Sequence, residues 1–254
     1  MIQKQKNIIL ITWALWLIGK ILINYLSEKY NIIGIDKIKS DWIYGIDITN
    51  YKKLHSFLNK IWPINTVIHL AWAKRMQNIK DIYNTNVVWT QNLYQISKEL
   101  WVKKIIFASS NNVMWLYEWD PNKTLHLDKI NSSNSIIIDA SETPNPDSYY
   151  SWSKLIAEEL WKQLSQLSNI QVVNLRIWSV KLEDNPSKNN RHRSTWLSHR
   201  DLCNLFETLI AWAKTNKKYA TYFWVSNNKY NFWELNSLKK DYWYTPKDNA
   251  EIFY

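Results

Sequence analysis

The sequence predicts an α/β protein in which a parallel sheet is wound on both faces by helices. Three observations predict it. Short apolar runs alternate with amphipathic segments from Asn7 to Ile177. Runs that are apolar throughout, joined by helical crossovers, are the mark of strands buried on both faces. The first run leads through Thr12-Trp13-Ala14-Leu15-Trp16-Leu17-Ile18-Gly19 into a helix, and the second ends in an acid, Asp36.

The elements follow in order. Asn7–Thr12 reads as a buried strand. Trp16–Lys29 reads as a helix with Leu17, Ile18, Ile21, Leu22 and Leu26 on its inner side. Asn31–Asp36 is the second strand, Tyr51–Lys60 a helix and Asn65–Leu70 the third strand. Ile79–Leu100 is a long helix, Lys103–Ser109 the fourth strand, Tyr150–Leu167 a helix and Gln171–Ile177 another strand. Glu118–Ser148 is polar, with one apolar island at Ile136–Ile138, and is expected to be a long excursion on the ligand side of the sheet. Beyond Ile177 the pattern loosens into a helix at Asp201–Ala213, a strand at Tyr219–Val225 and a short helix at Trp233–Asp241. The expected division is a sheet domain over 1–178 and a small substrate-binding lobe over 179–254.

Composition narrows the classes. A hydrophobic content of 46% supports a real core. The net charge of +10 is spread over lysines placed singly and in pairs, with no basic block of the kind that grips nucleic acid. The single cysteine, Cys203, rules out an internal disulfide and any cysteine-based metal cluster, and no metal site is expected. Lys4 and Lys6 before Ile8–Ile18 imitate a signal peptide, but Gly19-Lys20 interrupts the run and no small-residue cleavage site follows. The expected setting is cytoplasmic, without a membrane or nucleic-acid partner.

Seventeen tryptophans stand beside three glycines. Ordinary usage would give this length roughly 18 glycines. The tryptophans also fall where backbone physics asks for glycine, as in TWALWLIG. With glycine at 13 and 16 this becomes TGALGLIG, a dinucleotide-binding turn. Some bacterial lineages read UGA as glycine, and translating such a gene with UGA as tryptophan prints Trp at each site. The excess of Ile, Lys, Asn and Tyr fits a low-GC genome.

The glycine-type positions 13, 16 and 19 have the G-x-x-G-x-x-G spacing, which gives a tight turn and brings phosphate against backbone N–H groups. The cofactor contacts expected there run from Trp13 and Trp16 through Leu17, Ile18 and Gly19. Asp36 is placed to bond both adenosine ribose hydroxyls and repels a 2′-phosphate, so NAD is favoured over NADP, and Lys37 softens that preference. Asp47 and Ile48 are expected to flank the adenine. Leu70, Ala71 and Trp72 end the third strand at the ligand edge, and Asn86 lies in Asn-Val-Val-Trp-Thr. The fold expected is therefore a Rossmann-type sheet.

Tyr150 and Lys154 are one helical turn apart, so both point to one face. With Ser110 at the fourth strand's end, and with Tyr-Ser-Trp-Ser-Lys over 150–154, they resemble the Ser-Tyr-Lys triad of extended short-chain dehydrogenases, the epimerase/dehydratase branch. Phe107–Asn111, the stretch Leu175–Ser179, STWLSHRD over 194–201, the stretch Phe223–Asn228 and YWYTPKDNAE over 242–251 resemble uronate dehydrogenases of that branch. The resemblance implies that Tyr150 is the base, that Lys154 also binds the nicotinamide ribose, and that Ser110 bonds the reacting oxygen. It also implies Ser110, Asn111, Asn112 and Ser179 along the sugar, Lys74 at a sugar-binding position, and Arg191 on the substrate carboxylate. The implied reaction is NAD-dependent oxidation of the C1 hydroxyl of a hexuronate to an aldarolactone, by a homo-oligomer. Asn112 replaces a common His, and Lys74 a small hydroxyl residue. Trp13, Trp16, Trp72, Trp89, Trp115, Trp178, Trp224 and Trp243 fall on family glycine positions, and Trp101 joins them. Trp196 and Trp233 read as true indoles, while Trp42, Trp62, Trp119, Trp152, Trp161 and Trp212 stay open.

Two rival readings remain. A nucleotide-sugar epimerase or dehydratase of the same superfamily would turn over UDP- or dTDP-sugars. A non-catalytic NAD-binding regulator would have no turnover to lose at Tyr150.

Overall fold

The computed structural model describes residues 7–73, 77–118, 137–178, 180–186, 190–211 and 217–254. Seven strands form one sheet in the order β3-β2-β1-β4-β5-β6-β7. They are β1 (Ile8–Thr12), β2 (Asn31–Asp36), β3 (Ile43–Gly45), β4 (Thr66–His69), β5 (Lys104–Ser110), β6 (Gln171–Ile177) and β7 (Tyr219–Trp224). The pairings β1–β2, β1–β4, β2–β3 and β4–β5 are parallel. The fold is the expected doubly wound α/β sheet. The strand order reverses between β1 and β4, and sheets of this kind bind ligands outside the carboxyl ends of the strands at that reversal.

The helices are α1 (Leu17–Leu26), α2 (Tyr51–Lys60), α3 (Ile79–Tyr83), α4 (Trp89–Glu99), α5 (Tyr149–Leu167), α6 (Asn190–Thr195), α7 (His199–Ala211) and α8 (Asn236–Tyr242). The asparagine preceding α2, Asn50, caps it by accepting from the Lys53 N–H, and Asn78 caps α3 through Asp81. The single long helix expected over Ile79–Leu100 is instead α3, a π-turn at Asn84–Val88 and α4. The π-turn carries buried Asn86 and Val87. Three further short elements have no periodic signal in the sequence: strand β3, helix α6 and a 3₁₀ stretch at Asn111–Glu118. The helix expected from Trp233 begins at Asn236, because Trp233 is used in a bridge to Ile138.

The chain divides into two compact units. The first comprises Met1–Ala108, Ser153–Asn174 and Asn216–Ala220; the second comprises Ser109–Trp152, Leu175–Thr215 and Thr221–Tyr254. The first unit's core joins Leu10, Ile35, Val67, Ile105 and Val172 of the strands to Leu54, Leu93, Ile96, Ala157 and Leu164 of the helices. Each of the leucines, isoleucines and valines among them contributes about 1.5–3 kcal/mol by leaving water. In the second unit, Phe223 packs on Trp233 at 4.3 Å and Trp224 on Tyr244 at 4.9 Å. A buried carboxylate there, Asp201, takes hydrogen bonds from Ser226 Oγ and from the Lys247 and Asp248 N–H groups. Those donors offset the cost of burying its charge and pin the C-terminal segment to α7.

The end of α4 exposes a conflict between residue and backbone. The Val102 N–H bonds the Ser97 carbonyl and the Trp101 N–H bonds the Lys98 carbonyl. This pair of bonds is the Schellman motif, whose turning residue is left-handed and is usually glycine. Here that residue is Trp101, at φ 52°. Helix α8 ends on a left-handed residue too, Trp243 at φ 56°, through the simpler cap in which its N–H bonds the Lys239 carbonyl, and the turn after β1 places Trp13 at φ 59°.

Candidate functional site

In the first unit the turn after β1 leads into α1. Gly19 in its first turn has no room for a side chain, since an added Cβ would meet the Trp13 carbonyl oxygen at 2.6 Å. Asp36, at the end of β2, accepts from the Leu15 N–H at 3.1 Å, which ties the turn to the second strand. Lys37 pairs with Asp47 at 3.7 Å, and Asp47 also holds Thr49 in a local turn. Burial raises the Asp47 carboxyl, but the bonds from Thr49 and the charge of Lys37 outweigh it, so the group is held below its ordinary value.

Beneath the carboxyl ends of β1 and β4 lies a buried polar chain. His69 sits 2.9 Å from Thr12 Oγ1 and 3.2 Å from Thr90 Oγ1. Burial first, and the neighbouring Lys154 second, push its ring down to about 3, so it is neutral. Thr12 Oγ1 also accepts from the Leu70 N–H. Asn86 accepts from the Ala73 N–H at 2.8 Å and donates to Ser153 Oγ at 2.7 Å. Lys154 donates to the Ala108 carbonyl at 2.9 Å and to that of Ala71 at 3.4 Å. The π-turn matters here, because its extra residue turns Asn86 inward onto the end of β4.

The expected nucleotide contacts divide into a frame and a filling. Trp13, Trp16, Lys37 and Trp72 line a cavity of about 430 Å³, with Ala73, Thr85 and Trp89. Trp13, Asp36, Lys37, Asp47, Ile48 and Trp89 line a second space of about 10 Å³, little more than room for one water. Leu17, Ile18 and Leu70 line neither. The indoles themselves fill the ground. Trp13 lies against Trp89, and Trp16 against Trp72, each pair at 5.0 Å. The indole N–H groups of Trp13 and Trp89 are buried without a hydrogen-bond partner, a costly state for a polar group. The polar frame thus fits an adenosine, with an acid at the end of β2 and Asp47 with Ile48 beside it. The indoles of Trp13 and Trp89 do not fit it, because they close the space beside Asp36, Asp47 and Ile48 to about 10 Å³, while all four indoles wall the larger cavity.

The second unit holds Ser110 at the end of β5 and, after it, the 3₁₀ stretch Asn111–Glu118. Ser110 Oγ accepts from the Asn112 N–H at 3.2 Å. Asn111 is fully buried and neither polar atom of its side-chain amide has a partner; the side-chain Oδ1 of Asn112 also lacks one. Tyr150 is buried in the first turn of α5, whose later residues include Lys154. Arg191, on α6, is not an open fork: its Nε donates to Glu118 Oε2 at 2.6 Å and its Nη2 to Oε1 at 2.8 Å. Its guanidinium lies 3.5 Å from the Trp178 ring centre and 4.4 Å from that of Trp115. Lys74 and Ser179, both expected at the sugar, lie outside the described residues. Two further residues complete these bonds, Ser153 and Glu118. Ser153 was visible in the Tyr-Ser-Trp-Ser-Lys element, whereas Glu118 is an isolated acid at the edge of a polar stretch and carries no signal.

A doubly wound sheet, an acid-tipped second strand, a glycine-type turn and a Tyr-x-x-x-Lys helix define a dinucleotide-dependent oxidoreductase class. The chain matches the NAD dependent epimerase/dehydratase family over residues 9–212 and belongs to it. It is an NAD-dependent oxidoreductase of that family. Among curated proteins it is 25% identical to an NAD-dependent glucose-6-phosphate dehydrogenase of Haloferax volcanii, covering 96% of this chain and 95% of that one. It is 27% identical to a uronate dehydrogenase of Pseudomonas syringae pv. tomato, covering 99% and 86%. Among solved structures, uronate dehydrogenase from Agrobacterium tumefaciens superposes with a TM-score of 0.81 at 20% identity, over 97% of this chain and 86% of that one. Among the described residues no helix is long and apolar enough to cross a membrane.

Proposed function

We propose that the functional protein carries glycine at positions 13, 16, 72, 89, 101, 115, 178, 224 and 243, and that it oxidises the C1 hydroxyl of a hexuronate to an aldarolactone. The left-handed backbone at Trp13, Trp101 and Trp243 supports the first half. A bulky side chain at such φ is a genuine outlier, and glycine removes the strain. Orphaned indole N–H groups do not sort the tryptophans as well, since Trp196 and Trp233, read as true indoles, share that property.

The observation that carries the second half is the fork of Arg191. It already grips a carboxylate, that of Glu118, with two nitrogens, so its shape and charge suit the carboxylate of a uronic acid. The orphaned amide of Asn111 adds a donor and an acceptor that a sugar hydroxyl would satisfy. In this reading Tyr150, as phenolate, takes the proton of the C1 hydroxyl. A free phenol titrates near 10, and the positive charge of a bound nicotinamide would favour its anion. Ser110 donates to the reacting oxygen, and Lys154 bonds the nicotinamide ribose. NAD, when bound, supplies the acceptor for the hydride that leaves C1.

Protein made with these glycines should form NADH with galacturonate or glucuronate. Tyr150→Phe should abolish that turnover and spare NAD binding. An enzyme that turns over neither uronate would rule out the substrate, and UGG codons at 13, 16 and 72 would end the glycine reading.

A further inference from the structure

Among the described ion pairs, Glu118 is the most deeply buried carboxylate, and its partner is the proposed substrate ligand. Its side chain is 1% exposed and that of Arg191 14%. Burial pushes the Glu118 carboxyl up from its ordinary value, Asp147 pushes it further, and only Arg191 pulls it down. The charged groups acting on it are thus Arg191 of α6 and Asp147 of the segment ahead of α5. Along α6, His192 is held below its ordinary value by burial and by the charges of Lys181 and Arg191, and Arg193 is committed to Glu251. No second cation among these is placed to hold Glu118 if Arg191 turns to a ligand.

We propose that Glu118 is a built-in stand-in for the substrate carboxylate, so that a carboxylate sugar reaches Arg191 only by exchanging with it, and that the exchange takes up one proton from solvent. The proposal rests on the hexuronate reading of Arg191. Glu118 holds the Nε/Nη2 edge of the guanidinium, one of its two bidentate edges, and it is this edge that the sugar carboxylate would take over. Once displaced, Glu118 is a buried anion without a counter-ion, and a buried carboxylate in that state takes a proton rather than keep its charge. The carboxylate becomes a carboxylic acid, and the charge on Arg191 is balanced by the sugar. A neutral sugar of the same ring makes no such demand and leaves the pair intact. Glu118 therefore sets both the energetic cost of accepting an acid sugar and its dependence on pH.

The test compares galacturonate with galactose, which differs in having a neutral carbon 6, using the protein expressed under its own genetic code. Initial rates are measured from about pH 6 to about pH 9. For the wild type, KM for galacturonate should rise by up to about tenfold per pH unit, the slope for one proton taken up on binding, while KM for galactose stays level. Glu118→Gln keeps the shape and removes the titrating group. It should lower KM for galacturonate most at the alkaline end and abolish the slope, with kcat changing much less than KM. If galacturonate is turned over but the wild-type slope is flat, or the Glu118→Gln enzyme keeps the slope, the exchange is wrong and the hexuronate reading stands. If both proteins oxidise galactose and neither accepts galacturonate, the hexuronate reading fails and takes the exchange with it. Should the variant not fold, the wild-type slope alone decides.

Discussion

Burial holds the Lys154 ammonium far below its ordinary value of 10.5, at about 7, with the charge of Glu158 pulling weakly the other way. Its two hydrogen bonds go to the backbone carbonyl oxygens of Ala108 in β5 and of Ala71 just past β4, which accept from an amine or an ammonium alike. Between about pH 7 and pH 10.5 the unfolded chain keeps a proton at this lysine that the folded chain has released. Rising pH therefore favours folding through this group. The cost of burying the charge is full below about pH 7 and fades as pH approaches 10.5. Lys154→Met should accordingly raise Tm at neutral pH, and the gain should shrink in scans taken at successively higher pH. A gain that grows with pH would mean the ammonium is stabilised where it sits. Tyr150 and Lys154 were both legible in the sequence because one helical turn separates them. Glu118 was not, because an ion pair between residues 73 apart leaves no mark on either neighbourhood.

Helix ends show most directly that side chain and backbone disagree in this chain. The Schellman turn at Trp101 and the left-handed cap at Trp243 put exposed indoles, 79% and 82% accessible, on glycine's conformation. Neither ring packs enough to offset that strain. Left-handed backbone costs an L-residue roughly 1–2 kcal/mol. Trp101→Gly and Trp243→Gly should each raise Tm by about 2–4 °C per kcal/mol recovered. Trp42→Gly, at an equally exposed position of 83% without positive φ, should bring no such gain. Thermal melts of the three variants check this. The strands other than β3, and the helices α2 and α5, could be read from apolar periodicity within a residue or so. The π-turn at Asn84–Val88 could not, since it preserves the run of apolar residues while shifting the ladder by one, and only the bonds of Asn86 to Ala73 and Ser153 reveal what the shift achieves.

At the scale of the molecule, four indoles wall the space at the carboxyl ends of β1 and β4. The space among Asp36, Asp47 and Ile48 is only about 10 Å³ while Trp13 and Trp89 pack together over it. The literal chain should fail to bind NAD, whereas Trp13, Trp16, Trp72 and Trp89 changed together to glycine should restore binding, read as an NAD-dependent rise in Tm. Tight NAD binding by protein verified to contain all four indoles would overturn this. By itself the sequence determined the doubly wound sheet and the acid at the end of β2, and it is the source of the proposed Ser110, Tyr150 and Lys154 set and of the proposed glycine positions. These depend on residue type and short-range spacing, which the chain carries openly. Only the tertiary structure decided that Trp13, Trp101 and Trp243 are left-handed, that the adenosine frame is filled, and that Arg191 already holds Glu118. Such facts come from φ angles, packed volumes and partners distant in sequence, which are fixed only when the chain closes on itself.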